Sequence, residues 1–140
     1  MKINYDELID KASIALKNSY SPYSKSKVGA AVLTKSGKIY LGCNVENSSF
    51  SITSCAERNA ISSAVLAEGP QMEICAIAIS CINLNNKKAS ITPCGSCRQA
   101  IIEFGKDAEV VYSDDEGKVN ILPISQLIPH AYSAKTFQGK

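Results

Sequence analysis

Apolar residues at Ile3, Leu8, Ile9, Ala12, Ala15 and Leu16 recur at helical spacing, and the turn-forming stretch "SYSPYS" closes that first helix. Two strands follow. "VGAAVLT" (Val28 to Thr34) and "KIYLGCNV" (Lys38 to Val45) are joined by "KSG", a hairpin signal. The next helical pattern runs from Cys55 to Glu68 and stops at Gly69-Pro70, the punctuation of a helix end. "MEICAIAIS" (Met72 to Ser80) is apolar nearly throughout and reads as a strand covered on both faces. "PCGSCRQAIIEFG" (Pro93 to Gly105) starts with proline and ends with glycine, as a third helix should. "AEVVYS" and "KVNIL" are strands around the turn "DDEG", and a short helix over residues 124 to 128 precedes a polar tail. Helix, hairpin and then alternating helix and strand predict an α/β fold, a three-layer α/β/α sandwich built on a mixed five-stranded sheet. A chain of 140 residues without repeats is the size of one domain, residues 1–140.

Composition narrows the partners. The N-terminus "MKINYDELIDKA" is acidic and lacks an apolar core, so it is no secretory signal, and the uncharged run from Ile74 to Ile82 is too short to cross a bilayer. The chain reads as soluble and cytoplasmic, without membrane partners. Its net charge of +2 comes from scattered lysines with no basic cluster interleaved with aromatics, which favours a small ligand over nucleic acid. Six cysteines in a cytoplasmic chain are thiols or metal ligands rather than a disulfide framework. Cys43, Cys75 and Cys81 lie in strand-like apolar runs and are expected to be small core residues.

The other three cysteines carry the chemistry. Cys94 and Cys97 form a Cys-x-x-Cys at a helix start, within one turn of each other, and Cys55 opens another helix. A Cys-x-x-Cys alone could instead be a redox pair. Three thiolates on one zinc, however, leave a fourth position for water, as catalytic sites do and closed structural sites do not. His130, the only histidine, sits in the C-terminal segment as a surface residue, and without a fourth ligand a purely zinc-stabilised binding module is disfavoured. Arg58 shares a helix face with Cys55 and is expected to partner its thiolate, and Arg98 stands in the same relation to Cys94, with a surface salt bridge as the alternative. Glu57, two residues from Cys55, points elsewhere than the ligand yet can reach a water at the metal and act as general acid/base.

"CAERNA" together with "PCGSCRQ" resembles the small, homotetrameric zinc-dependent cytidine deaminases, and "SPYSKSKVGAAVLTKSGKIYLGCNVENSSF" extends the likeness over most of the chain. The resemblance implies hydrolytic deamination of cytidine and 2′-deoxycytidine to uridine and 2′-deoxyuridine plus ammonia, in pyrimidine salvage, with one Zn²⁺ per subunit held by Cys55, Cys94 and Cys97. Glu57 would carry protons to N3 and then to the departing ammonia. Within the family the polar residues of an N-x-E segment hold the ribose 3′-hydroxyl, here Asn44 and Glu46, and the backbone N–H matching Ala56 binds the base carbonyl. A carboxylate at the sugar also disfavours phosphate, so nucleosides are expected over nucleotides.

Three positions depart from the family pattern. Ser26 stands where an aromatic ring usually packs near the base, Phe50 where tyrosine is common, and Tyr132 where a phenylalanine from a neighbouring subunit closes the site. These departures motivate an alternative substrate, a modified cytosine nucleoside or an antibiotic such as blasticidin S, against which Glu46 argues because that antibiotic lacks an ordinary ribose.

Overall fold

The computed structural model describes residues 1–138. Helix α1 (Tyr5–Ala15) leads into β1 (Lys27–Thr34) and β2 (Ile39–Cys43), followed by α2 (Ala56–Glu68) and β3 (Ile74–Ile82). After β4 (Lys88–Ala89) come α3 (Gly95–Phe104), β5 (Glu109–Ser113), β6 (Val119–Pro123) and the short α4 (Ile124–Leu127). The strand order is β2-β1-β3-β5-β6, and only β3 and β5 run parallel. The sheet is therefore mixed, as expected, but it has a sixth strand. β4 is two residues long and pairs with Cys81 and Ile82, beyond the end of the β5 ladder. No pattern of period two fits into so short a piece, so "NKKAS" reads as loop.

Alternation along the strands divides the core in two. In β1, Ala30 and Val32 face one way and Ala31 and Leu33 the other; in β3, Ile77 and Ile79 oppose Ala76 and Ala78. Side chains of a strand alternate between faces, so a continuous apolar run covers both. Helix α1 packs Leu8 and Ala12 on the second face, while α2, α3 and α4 bring Ala60, Ala64, Ile101 and Ile124 to the first. Burying each isoleucine fully contributes about 1.5–3 kcal/mol. Cys81 belongs to this interior, but Cys43 and Cys75 are only half-buried, contrary to expectation. Cys43 ends the edge strand β2, and Cys75 lies near the start of β3, at the margin of the helical cover.

Small residues set how closely α2 lies on the sheet. Ala56, Ala60 and Ala64 are fully buried along one side of that helix. Below them is Gly42, where a Cβ would stand 2.4 Å from the Ala56 carbonyl oxygen and 2.4 Å from the Ala60 nitrogen. Those neighbours are helix backbone and cannot swing aside. The substitution Gly42→Ala is therefore expected to destabilise the protein by about 3 kcal/mol, the upper end of overpacking effects. A lowered denaturation midpoint at unchanged slope would register it.

Candidate active site and metal centre

Two helices begin on the same side of the sheet, and each has a cysteine as its N-cap. Cys55 precedes α2 and Cys94 precedes α3, both in extended backbone, and neither side chain caps its helix. Serine, threonine or aspartate would be the better cap. The sulfurs instead turn toward each other. Cys55 Sγ lies 4.0 Å from Cys94 Sγ, Cys94 Sγ lies 3.4 Å from Cys97 Sγ, and all three fall within 4.8 Å of one another.

Two thiolates about 2.3 Å from one tetrahedral zinc would stand about 3.8 Å apart, so these sulfurs fit that ion with little adjustment. Among the described residues this is the single cluster of three or more histidine, cysteine or acidic side chains disposed to hold a metal. His130 is exposed and takes no part. The donor set is soft and leaves a position for a non-protein ligand, as catalytic zinc requires.

The surroundings favour thiolate at Cys55. Hydrogen bonding to Cys97, then the Arg58 guanidinium, bring the Cys55 thiol down to about 5 despite its partial burial. Cys97 moves the opposite way, because it shares that hydrogen bond with Cys55 and is buried. Arg58 Nη2 donates to Cys55 Sγ at 3.3 Å, the partnership expected of it. Arg98 serves neither expected role. Its Nε donates to the Pro93 carbonyl at 2.7 Å and Nη1 to the Leu127 carbonyl at 2.8 Å, so it braces the loop before Cys94 against the end of α4. A guanidinium offers five donors in a rigid fork, and these carbonyls claim them before a sulfur or a carboxylate does.

A cavity of about 220 Å³ opens beside the sulfurs, lined by Val28, Asn44, Ala56, Glu57, Ile91 and Thr92 among others. Glu57 is 4% exposed, and burial, followed by the nearby Cys55 charge, holds its carboxyl above the usual carboxylate range. That suits a group that must both accept and return a proton. The Ala56 N–H belongs to the first turn of α2, where amides lack intrahelical acceptors, and the Cys55 side chain does not cap it.

The segment after β2 reaches this cavity through a two-way backbone pairing of Val45 with Ser54, each N–H donating at 2.9 Å. Asn44 is thus set beside the cysteines. Its Oδ1 accepts from Val28 N at 2.9 Å and from the Ser19 hydroxyl, and its Nδ2 donates to Ser26 O at 3.0 Å, leaving one amide hydrogen. Glu46, two residues further on, is buried and does not line this cavity, and its carboxylate accepts from Tyr23 N at 3.0 Å, Ser24 N at 3.1 Å and the Ser24 hydroxyl. Burial alone would raise its pKa, but these hydrogen bonds, led by the Ser24 hydroxyl, hold it below the ordinary value.

Phe50 and Tyr132 do not line this cavity. Phe50 meets the Tyr23 ring edge-on at a centroid distance of 5.5 Å, and Tyr132 leans on Phe137 at 6.4 Å. Residues not singled out from the sequence also contribute to the site: Val28, Ile91 and Thr92 form its walls, and Asn59 bonds to Ser54, which lines it too. Only their tertiary neighbours distinguish them from ordinary strand, loop and helix positions.

Three convergent thiols, a buried carboxylate and an open cavity at helix N-termini of an α/β/α sandwich form a candidate zinc centre with an acid/base group beside it. The model of the cytidine and deoxycytidylate deaminase zinc-binding region matches residues 2–114, and the chain belongs to this family. It is 38% identical to the cytidine deaminase of Sporosarcina psychrophila over 132 residues, covering 94% of this chain and 93% of that one. The crystal structure of cytidine deaminase from Burkholderia pseudomallei matches with a TM-score of 0.80 at 41% identity, covering 93% of this chain and 100% of that one. Cytidine deaminase from Mycobacterium tuberculosis matches with a TM-score of 0.76 at 30% identity, covering 94% and 99%.

Proposed function

We propose that this protein deaminates cytidine and 2′-deoxycytidine hydrolytically, in pyrimidine salvage in the cytoplasm. The observation that carries the reading is the convergence of Cys55, Cys94 and Cys97 beside the buried Glu57 in one cavity. Those three sulfurs would hold zinc, which when bound supplies the Lewis acidity that makes water nucleophilic near neutral pH. Glu57 takes a proton from the attacking water and delivers it to N3 of the cytosine ring. It then passes the second proton to the 4-amino group, which leaves as ammonia while the carbonyl of uracil forms.

Orientation falls to the remaining groups. The Ala56 N–H meets no competing acceptor from its own cap and donates to the base carbonyl. Asn44, with its free amide hydrogen, and Glu46, with one oxygen lone pair left after three hydrogen bonds, hold the ribose hydroxyl. Arg58 moderates the charge of the thiolates by donating to Cys55. Phe50 is 72% exposed and Tyr132 63% exposed, so both rings are open to the neighbouring subunits of the homotetramer that the family likeness implies.

The test is turnover by purified protein. Loss of the cytosine absorbance band with one ammonia released per cytidine is the expected result. No reaction with cytidine or deoxycytidine, alongside conversion of blasticidin S, would replace the nucleoside reading with the antibiotic one.

A further inference from the structure

Asn59 occupies the first full turn of α2 and faces the two segments that meet beneath the cavity. Its Nδ2 donates to the carbonyl of Cys43 at 2.8 Å, and its Oδ1 accepts from the Ser54 hydroxyl at 2.6 Å. Cys43 immediately precedes Asn44, and Ser54 immediately precedes Cys55. One side-chain amide therefore spans the end of β2 and the entry to α2, directly behind the Val45–Ser54 pairing. The Val45–Ser54 bridge and the close packing of Gly42 on the α2 backbone tie the same two segments, and the Asn59 amide adds the side-chain hydrogen bonds that join Cys43 to Ser54.

We infer that Asn59, together with Ser54, is a positioning pair that sets the nucleoside-binding segment around Asn44 against the α2 end that carries Cys55 and Glu57. The inference rests on the proposed deamination and adds a residue pair to it. Cys55 and Glu57 hold their mutual geometry through the helix itself, whether or not Asn59 is present. The strand end is held to β1 and Tyr20 by backbone bonds, but its placement against the entry to α2 is not internal to one helix and includes the Asn59 amide. Loss of the brace therefore loosens contacts made equally to substrate and transition state, which raises KM and leaves kcat nearly unchanged.

Asn59→Ala tests this cleanly, because alanine favours the helix and removes only the amide. In the zinc-loaded protein the KM for cytidine is expected to rise about tenfold, the effect of losing hydrogen bonds of ordinary strength, with kcat changed less than about threefold. The affinity for uridine, measured by calorimetry without turnover, should weaken by the same factor, and zinc content should stay at that of the wild type. Ser54→Ala removes half of the brace and should give a smaller shift of the same kind; it decides the matter by the same criterion if Asn59→Ala does not fold. An unchanged KM and uridine affinity with a lowered melting temperature, or a fall in kcat matching the rise in KM, would overturn the inference alone. A wild-type protein that fails to turn over cytidine would overturn the proposed function and this inference with it.

Discussion

Replacing Glu57 with glutamine lowers kcat for cytidine by about 10²–10⁴-fold, the contribution of a positioned general acid/base, while zinc content remains at the wild-type level. The variant keeps the shape of the side chain and discards its ability to exchange protons. Glu57 is suited to that exchange because it is 4% exposed, and burial, followed by the nearby Cys55 charge, holds its carboxyl above the usual carboxylate range. Metal analysis separates the two roles open to the residue: a ligand would take the zinc with it, an acid/base would not. Normal turnover by Glu57→Gln would remove the residue from the reaction.

Replacing Cys97 with alanine has the second large effect, and it appears first in the metal. Cys97 is fully buried and is the most enclosed of the three sulfurs, since Cys55 is half-buried and Cys94 exposed. Removing one of three thiolates forfeits several kcal/mol of the roughly 10–16 kcal/mol that a zinc site can contribute, or more than about 100-fold in zinc affinity. The purified variant is then expected to contain little zinc and to melt at a lower temperature. A chelator should lower the melting temperature of the wild type toward that of the variant and leave the variant unchanged, because the metal stabilises only the state that binds it. Retention of a full zinc complement by Cys97→Ala would remove that sulfur from the site.

Local chemistry made much of this protein legible in one dimension. Gly69 closes α2 with a positive φ of 90°, and the apolar run of β3 is indeed covered on both faces, because caps and side-chain alternation act over a few residues. Cys94 and Cys97 could be paired for the same reason, being one helical turn apart. Arg58 could be assigned to Cys55 on its i,i+3 spacing, and the structure supplies the bond at 3.3 Å.

Contacts between distant segments were another matter. Nothing near Arg98 announces the Leu127 carbonyl 29 residues away, and nothing near Asn59 announces Cys43. The short β4 depends on β3 for its existence, and the surface positions of Phe50 and Tyr132 follow from how their segments pack. By itself the sequence determined the order of helices and strands, the Cys-x-x-Cys pair and the helical partnership of Arg58 with Cys55, all of them governed by backbone periodicity over one or two turns. Only the tertiary structure decided the distances at which the N-termini of α2 and α3 bring Cys55, already grouped with the pair from the sequence, to the other two sulfurs, and that Asn59 bonds to both Cys43 and Ser54, because such distances are set by how closely Gly42 and the small residues of α2 let the helix lie on the sheet.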